Sequence, residues 1–357
     1  MEQTAVEPAV LSLPARQHAA AARARTAIAV LAFCCLCWGY SFPTMKYAIH
    51  VFEAEVARIS ALPQNEELPV MTRFAVYATF NGWRFLAAAA LYWLLTRKQQ
   101  RGWSSHEVRG GIWLGVLFAC GMLPQIIGLR YTLPSVSSFL TALVVVFAPL
   151  GQAVVFKRRV GWQTWMAVAV AMVGIAILSQ PDPECLACAV PTPKAPFPFM
   201  GEALTILGAM FFTAHIMALD FFGKNANIAR LTLMMFLATG VCSMVAGLAL
   251  GGGAIYKAAL FPALFGHLLF SGAMFTLTVF SSVLALHLMN TYQPRISPAT
   301  ASVVYCLEPV CATLFSLAVG TEQAKLAIFV GGATIIAAVL MVALRKEPAC
   351  EPASQVA

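Results

Sequence analysis

Ten apolar segments of about 20 residues each follow one another along this chain, and they constrain its fold more than any other feature. A segment of that length spans the hydrocarbon core of a bilayer as one α-helix. The segments run approximately over residues 27–49, 75–96, 110–130, 134–156, 161–179, 199–221, 229–250, 263–289, 298–319 and 324–344. Only 11% of the 357 residues are charged, against about 25% in soluble domains. The sequence therefore predicts an all-α membrane protein with ten transmembrane helices.

The distribution of Lys and Arg predicts how these helices are oriented. If the N-terminus lies in the cytoplasm and the spans alternate in direction, 15 of the 23 basic residues fall on the inner side and seven on the outer side. Basic residues are enriched on the cytoplasmic side of membrane proteins. We therefore expect a multi-pass protein of the plasma (inner) membrane with both termini in the cytoplasm. The first apolar run is too long for a cleaved signal peptide, so we expect it to remain as the first helix.

The two halves of the chain share a pattern. A shift of 160 residues aligns Pro149 with Pro309, and a shift of 174 residues aligns Ser41 with His215. Five spans per half is an odd number, so the halves must be inverted relative to each other, and binding sites of inverted repeats lie near the membrane midplane. The predicted organisation is a cytoplasmic tail (1–26), a first five-helix repeat (27–179), a Pro-rich outer linker (180–198), a second five-helix repeat (199–344) and a cytoplasmic tail (345–357).

Glu308 is a carboxylate halfway along the ninth predicted span, and Pro309 follows it directly. Ser297 and Pro298 indicate the start of this helix, as its N-cap and its first helical residue. A charge near the bilayer centre costs about 3 kcal/mol or more, so Glu308 must be neutral, paired or directed at a polar cavity. Pro309 lacks the N–H that would bond the carbonyl oxygen of Tyr305. We interpret this stretch as a site for a proton, an ion or a polar substrate. The alternative is a protonated Glu308 bonded to a neighbouring helix, with proline serving only as a kink.

Arg84 is a second charged residue inside a predicted span. A guanidinium group stays charged and presents a planar fork to a carboxylate or phosphate. Arg84 would therefore bind an anionic group of a substrate or pair with Glu308, and the alternative is that it extends to the outer headgroups. Other polar or amphipathic side chains of the spans could line a cavity. They are Trp38, Ser41, Asn81, His215 and Tyr305, of which Trp38 and Tyr305 fall deepest. A satisfied buried histidine is the simpler interpretation of His215.

Two expectations concern residues away from the membrane centre. The outer segment 50–74 is predicted to be a loop, in which Phe52, Val56 and Ile59 share one helical face and indicate a short interfacial helix. Asn290 falls at the inner end of the eighth span, where we expect it to be solvated.

The remaining motifs argue against several classes of function. Cys34, Cys35 and Cys37 lie in the first span, where packing of small side chains is favoured over binding of a soft metal. Cys185 and Cys188 lie in the linker without further ligands close by in sequence, so we expect no metal and no cofactor. The sequence contains no nucleic-acid motif, no phosphate-binding loop and no clustered catalytic set. It therefore predicts a protein that is not an enzyme, does not bind nucleic acid and is not driven by ATP.

Three motifs resemble signatures of the EamA-type, ten-helix members of the drug/metabolite transporter superfamily. They are Trp38-Gly39-Tyr40-Ser41-Phe42 with Lys46, Trp83-Arg84-Phe85, and Ile296-Ser297-Pro298-Ala299 followed by Tyr305-Cys306-Leu307-Glu308-Pro309-Val310, the most specific of the three. The resemblance extends from about Ala27 to Leu344 and implies two inverted five-helix EamA-type repeats. The sequence departs from the family pattern after the fourth span, where Lys157-Arg158-Arg159 stands in place of Gly-Glu.

The resemblance implies a secondary active transporter that works by alternating access, and export rather than import. Its substrate would be a small polar metabolite such as an amino acid. Its further partners would be the lipid bilayer and protons bound at Glu308, because burial away from water favours the protonated form of a carboxyl group. A multidrug exporter of lipophilic cations is the alternative function. No feature of the sequence indicates an oligomeric state.

Overall fold

The computed structural model describes residues 13–63, 66, 68–131, 137, 140–178, 199–250, 255–319 and 324–344. The regular structure within these ranges is helical. The helices are α1 (Leu13–Ile59), α2 (Val70–Thr96), α3 (Ser105–Tyr131), α4 (Val144–Val154), α5 (Trp162–Leu178), α6 (Met200–Phe222), α7 (Ile228–Leu250), α8 (Leu260–Gly266), α9 (Leu268–Thr276), α10 (Ala285–Tyr292), α11 (Pro298–Tyr305), α12 (Leu307–Val319) and α13 (Leu326–Ala343). A π-helical segment, Leu277–Leu284, joins α9 to α10.

Seven stretches of the described helices are long and apolar enough to cross a bilayer. They are Ala21–Ile59, Ser105–Gly128, Met200–Asn225, Ile228–Leu250, Leu268–Arg295, Pro298–Phe315 and Leu326–Ala343. Large apolar side chains such as Leu268 and Phe329 point away from the protein. Such an apolar outer surface is stable in lipid and unfavourable in water. The predicted all-α, multi-pass membrane protein is thereby confirmed.

Helix α1 extends beyond its predicted end. It continues through Pro43 to Ile59, and the side chains of Phe52 and Val56 are fully buried. Phe52 stacks on Trp83 of α2, with 5.2 Å between the ring centroids. The predicted interfacial helix is therefore wrong, because the apolar face of this segment packs against the protein instead of the lipid surface.

Helices of the first half pack directly on helices of the second half. Helix α2 lies along α7, α3 lies along α6 and α7, α5 lies along α13, and α1 lies along α12. Glycine permits the closest of these approaches. A Cβ atom added at Gly115 of α3 would lie 2.5 Å from the carbonyl oxygen of Met235 in α7. Small residues at helix contacts allow such close packing in lipid, where no hydrophobic effect drives helices together.

Connections contact each other at both ends of the bundle. At one end the Gln100 side chain, after α2, donates a hydrogen bond to the carbonyl oxygen of Ala229 at the start of α7 (3.2 Å). At the other end the Lys257 ammonium donates to the carbonyl oxygen of Ile59 at the end of α1 (3.0 Å). These two contacts are those expected of spans that run in alternating directions, because the connection after α2 meets the start of α7 and the connection after α7 meets the end of α1.

Candidate functional site

Helices α11 and α12 follow one another with a break at Cys306. The hydroxyl group of Ser297 accepts a hydrogen bond from the backbone N–H of Thr300 (3.1 Å), and Pro298 is the first helical residue, as the sequence predicts. The N–H of Cys306 bonds to the carbonyl oxygen of Val303 (3.2 Å), which tightens the last turn of α11. Helix α12 begins at the next residue.

This break places Glu308 in the first turn of α12. The first N–H groups of a helix have no intrahelical acceptor, and the helix dipole favours negative charge there. Pro309 is tolerated in the same turn because its missing N–H would have no acceptor within the helix. Pro149, the proline that aligns with Pro309 in the first half of the chain, lies inside α4 and is buried. Glu308 itself is partly buried, and within the described part of the chain it makes no hydrogen bond and no ion pair. Its carboxyl group is therefore free to bind a ligand.

The surroundings of Glu308 carry no positive charge among the described residues. Cys35 of α1 and Cys306, Cys311 and Tyr305 lie close enough to interact electrostatically with the carboxyl group. These side chains are neutral when protonated, so they do not compensate a carboxylate. In the described ranges no group of three His, Cys, Asp or Glu side chains has an arrangement that could hold a metal ion.

Arg84 of α2 is held by two serines of the π-helical segment. Its Nε donates to the hydroxyl of Ser282 and its Nη2 to the hydroxyl of Ser281, both at 2.8 Å. The side chain is only 4% exposed, so it does not extend to the headgroups. Within the ranges that the structure describes, it makes no ion pair, and the structure shows no pairing with Glu308. A buried cation without a counter-charge is costly in a membrane protein, and such groups mark binding sites or pathways.

Trp38 and Tyr305 connect the two charged groups. The indole N–H of Trp38 donates to the carbonyl oxygen of Ser281 (3.2 Å), and its ring meets Tyr305 edge-on with 5.6 Å between centroids. The Tyr305 hydroxyl donates to Gln293 (2.9 Å), whose amide donates to the carbonyl oxygen of Ile216 in α6 (2.8 Å). Contacts therefore run from the serines that hold Arg84 to Tyr305, which precedes Glu308 by three residues.

Ser41 and His215 do not join this group. The Ser41 hydroxyl bonds back to the carbonyl oxygen of Trp38 in its own helix (2.7 Å). The imidazole of His215 donates from Nδ1 to the carbonyl oxygen of Leu114 in α3 (3.0 Å) and packs edge-on against Phe118. His215 is thus a buried histidine that joins α3 to α6, and one of its two ring nitrogens has a hydrogen-bond partner.

Two buried amides act as contacts between helices. Asn81 of α2, one turn before Arg84, donates to the hydroxyl of Ser243 in α7 (2.9 Å), while its oxygen has no hydrogen-bond partner among the described residues. Asn290 is fully buried and donates to Thr232 (2.9 Å). The expectation of a solvated Asn290 is therefore wrong, because α10 packs against α7 at this level.

Sequence reasoning missed three residues of this network, namely Ser281, Ser282 and Gln293. All three are buried and uncharged. The one available signal was the Ser-Ser pair within an apolar stretch. Serine is common in membrane helices as a small packing residue, so the pair alone does not indicate a partner for arginine.

Known proteins resemble this chain in sequence and in fold. Residues 70–180 match the EamA-like transporter family. The chain is 26% identical over 315 residues to an uncharacterized transporter of Archaeoglobus fulgidus, a match that covers 88% of this chain and 85% of the relative. A protein of known crystal structure has a similar fold, with a TM-score of 0.61 and 15% identity over 89% of this chain and 96% of that one.

Proposed function

Since this chain is an EamA-type member of the drug/metabolite transporter superfamily, we propose that it is a secondary active transporter that exports small polar metabolites such as amino acids. Membership of a transporter family indicates movement of a solute across the membrane, and we propose no enzymatic activity. The drive would be an ion gradient or exchange, and transport would proceed by alternating access between the two halves.

The observation that carries this proposal is a buried arginine and a partly buried glutamate that do not pair with each other. Arg84 donates hydrogen bonds to two uncharged serines, and Glu308 has no hydrogen-bond or ion-pair partner in the described residues. A ligand with one carboxylate and one ammonium group would satisfy both. The guanidinium fork would receive the carboxylate and Glu308 the ammonium. Trp38 and Tyr305 would form the wall between the two binding points.

The serines that hold Arg84 suggest how binding could be linked to movement. A substrate carboxylate would compete with Ser281 and Ser282 for the same N–H groups of Arg84. Release of these serines would free the π-helical segment Leu277–Leu284, and π-helical turns occur frequently at functional sites. A ligand that binds one conformation of the protein better than another shifts the equilibrium towards that conformation. Arg84 would thereby couple occupancy of the site to the position of the second half.

The proposed architecture has two inverted repeats, residues 27–179 and 199–344. The pairing of α2 with α7 and of α5 with α13 supports it, because each pair joins corresponding spans of the two halves. We place both termini in the cytoplasm and the protein in the inner membrane on the distribution of Lys and Arg.

Protons are the proposed coupling ion, bound at Glu308. A proton and the ammonium group of a substrate cannot both occupy one carboxylate, so each would displace the other. Such competition yields exchange of an outgoing substrate for an incoming proton. The position of Glu308 at a helix break in a span supports this role, since broken helices at membrane depth line binding cavities.

Export of lipophilic cations is a second candidate function, and the aromatic neighbours of Glu308 favour it. The rings of Trp38 and Tyr305 meet edge-on, and Tyr305 precedes Glu308 by three residues. Aromatic faces attract organic cations, and a carboxylate adds to that attraction. This function would have no need of Arg84, which distinguishes it from transport of amino acids.

The test is transport into and out of proteoliposomes under an imposed pH gradient, with pooled amino acids and cationic dyes. Arg84→Gln is compared with Arg58→Gln, a matched loss of charge at an exposed arginine that pairs with Glu55. We expect amino-acid flux in the wild type and in Arg58→Gln, with at least a roughly tenfold loss in Arg84→Gln, because the substrate carboxylate loses a charged partner. Dye transport that survives in Arg84→Gln, without amino-acid transport, would establish the second candidate instead.

A further inference from the structure

Two cavities lie along one stripe of α2, outside the site described above. The basic cavity, about 430 Å³ in volume, is lined by Arg97, Lys98 and Arg101, which follow the end of α2. The apolar groove, about 250 Å³ in volume, lies between α2 and α7, and its lining residues are Leu86, Ala89, Ala90, Trp93, Leu233 and Leu237.

The connection that carries the basic cavity is fixed by hydrogen bonds. The side chain of Gln100 donates to Thr96 (2.8 Å) and to the carbonyl oxygen of Ala229 (3.2 Å). The indole N–H of Trp103 donates to the carbonyl oxygen of Gln100 (2.9 Å), and the guanidinium of Arg230 donates to the carbonyl oxygen of Arg101 (3.0 Å). The three basic side chains therefore project from a backbone that is held against α7.

The positive charge of this cavity is not neutralised by the described residues. Arg97, Lys98 and Arg101 are exposed and make no ion pair within that part of the chain. The nearest acid in sequence, Glu107, is buried and already paired with Arg230 at 3.2 Å. Three uncompensated cations around one cavity attract an anion, and the guanidinium fork suits phosphate oxygens.

The apolar groove continues the same stripe into the membrane. Residues spaced by four or seven positions share one face of a helix, so Leu86, Ala90 and Trp93 lie in one row of α2. Arg97 follows Trp93 by four positions and comes directly after the last residue of α2. Trp93 is 51% exposed at this level, and tryptophan is enriched where the hydrocarbon core meets the headgroups. An anion bound in the basic cavity would therefore lie at headgroup depth, beyond the end of α2 that carries Trp93.

We propose that this stripe of α2 binds one anionic phospholipid, with its phosphate in the basic cavity and one acyl chain in the apolar groove. A lipid fits both cavities at once, whereas free phosphate would fill only the basic cavity. The groove is formed by α2 and α7, so the acyl chain contacts both halves of the protein. Clusters of Lys and Arg beside a membrane helix attract anionic lipid headgroups. The bound lipid thus bridges the two halves at the end of the bundle where α2 meets α7.

The test measures binding of phosphatidylglycerol to the purified full-length protein in detergent, by native mass spectrometry and by the shift in thermal unfolding midpoint. Phosphatidylcholine and inorganic phosphate are titrated in parallel. The charge variant is Arg97→Gln/Lys98→Gln/Arg101→Gln. Its matched control removes three other exposed basic residues, Arg109→Gln/Lys157→Gln/Arg159→Gln. A third variant, Ala90→Phe, fills the groove without a change in charge.

We expect the wild type and the control to retain phosphatidylglycerol in preference to phosphatidylcholine. The apparent affinity should fall about tenfold or more in the charge variant, because attraction of the headgroup is lost. Ala90→Phe should weaken lipid binding as well. Equal losses in the charge variant and the control would overturn the proposal, since net charge alone would then explain them. Stabilisation by inorganic phosphate equal to that by the lipid would identify a soluble anion as the ligand and would overturn the proposal. Unchanged lipid binding in the charge variant would overturn it as well.

Discussion

Replacement of Ser281 and Ser282 by alanine is expected to destabilise the protein only while Arg84 is present. Each hydroxyl accepts a 2.8 Å hydrogen bond from the guanidinium, which is 4% exposed. A buried donor left without an acceptor costs about 1–3 kcal/mol. The two substitutions together should therefore lower the free energy of unfolding by about 2–6 kcal/mol.

The same two serine substitutions are also made in Arg84→Met, which removes the charge and keeps an apolar stem. The four proteins form a double-mutant cycle. Replacement of buried charges by apolar side chains of similar volume is often neutral or stabilising. Against this background the same two serine substitutions should cost less than about 1 kcal/mol, because no donor is left unsatisfied. Arg84→Met should nevertheless lose transport, since it cannot bind a carboxylate.

The free energies are measured by reversible unfolding of the purified variants in mixed detergent and dodecyl sulfate micelles. The four proteins of the cycle give the coupling energy between Arg84 and the serines, which should be about 1 kcal/mol or more. A coupling below about 0.5 kcal/mol, the size expected for independent sites, would refute the described role of the serines.

Two further predictions concern contacts between the halves. Gly115→Ala should lower the free energy of unfolding by about 1–3 kcal/mol, because the added Cβ would lie 2.5 Å from a backbone oxygen of α7. Gly272→Ala, whose Cβ would meet nothing within 4 Å, should be neutral or slightly stabilising in the same unfolding assay. Arg158→Gln removes an ion pair with Asp220, yet it should cost less than about 1 kcal/mol, because the Arg158 side chain is 42% exposed. A larger loss would show that this ion pair holds the halves together.

Much of the fold could be predicted from apolar segments, because a bilayer permits few alternatives to helices of a set length. The end of α1 could not be predicted from the sequence. Phe52 and Val56 form an apolar face that lipid or protein could cover equally well, and packing on Trp83 decides between them. Likewise the end of α10 looked exposed in sequence, whereas Asn290 is buried against α7.

The sequence indicates Glu308 and Arg84 as candidate site residues, but it does not indicate the geometry around them. Glu308 and Arg84 were recognisable because ionisable groups are rare and costly inside spans. The hydrogen-bond partners of Arg84 could not be recognised, because a hydrogen bond between distant helices leaves no periodic signal in the sequence. Ser281 lies 197 positions from Arg84, and the π-helical turn that presents it has no sequence pattern of its own.

The central claim is that Glu308 binds the coupling proton and the cationic group of the substrate. The most direct measurement is accumulation of labelled amino acids by proteoliposomes under a pH gradient, for the wild type, Glu308→Gln and the exposed control Glu66→Gln. Both variants must first elute and unfold like the wild type. We expect gradient-driven accumulation in the wild type and Glu66→Gln, and its loss in Glu308→Gln. Accumulation by Glu308→Gln at the wild-type level would contradict the account and leave Glu308 with a structural role only.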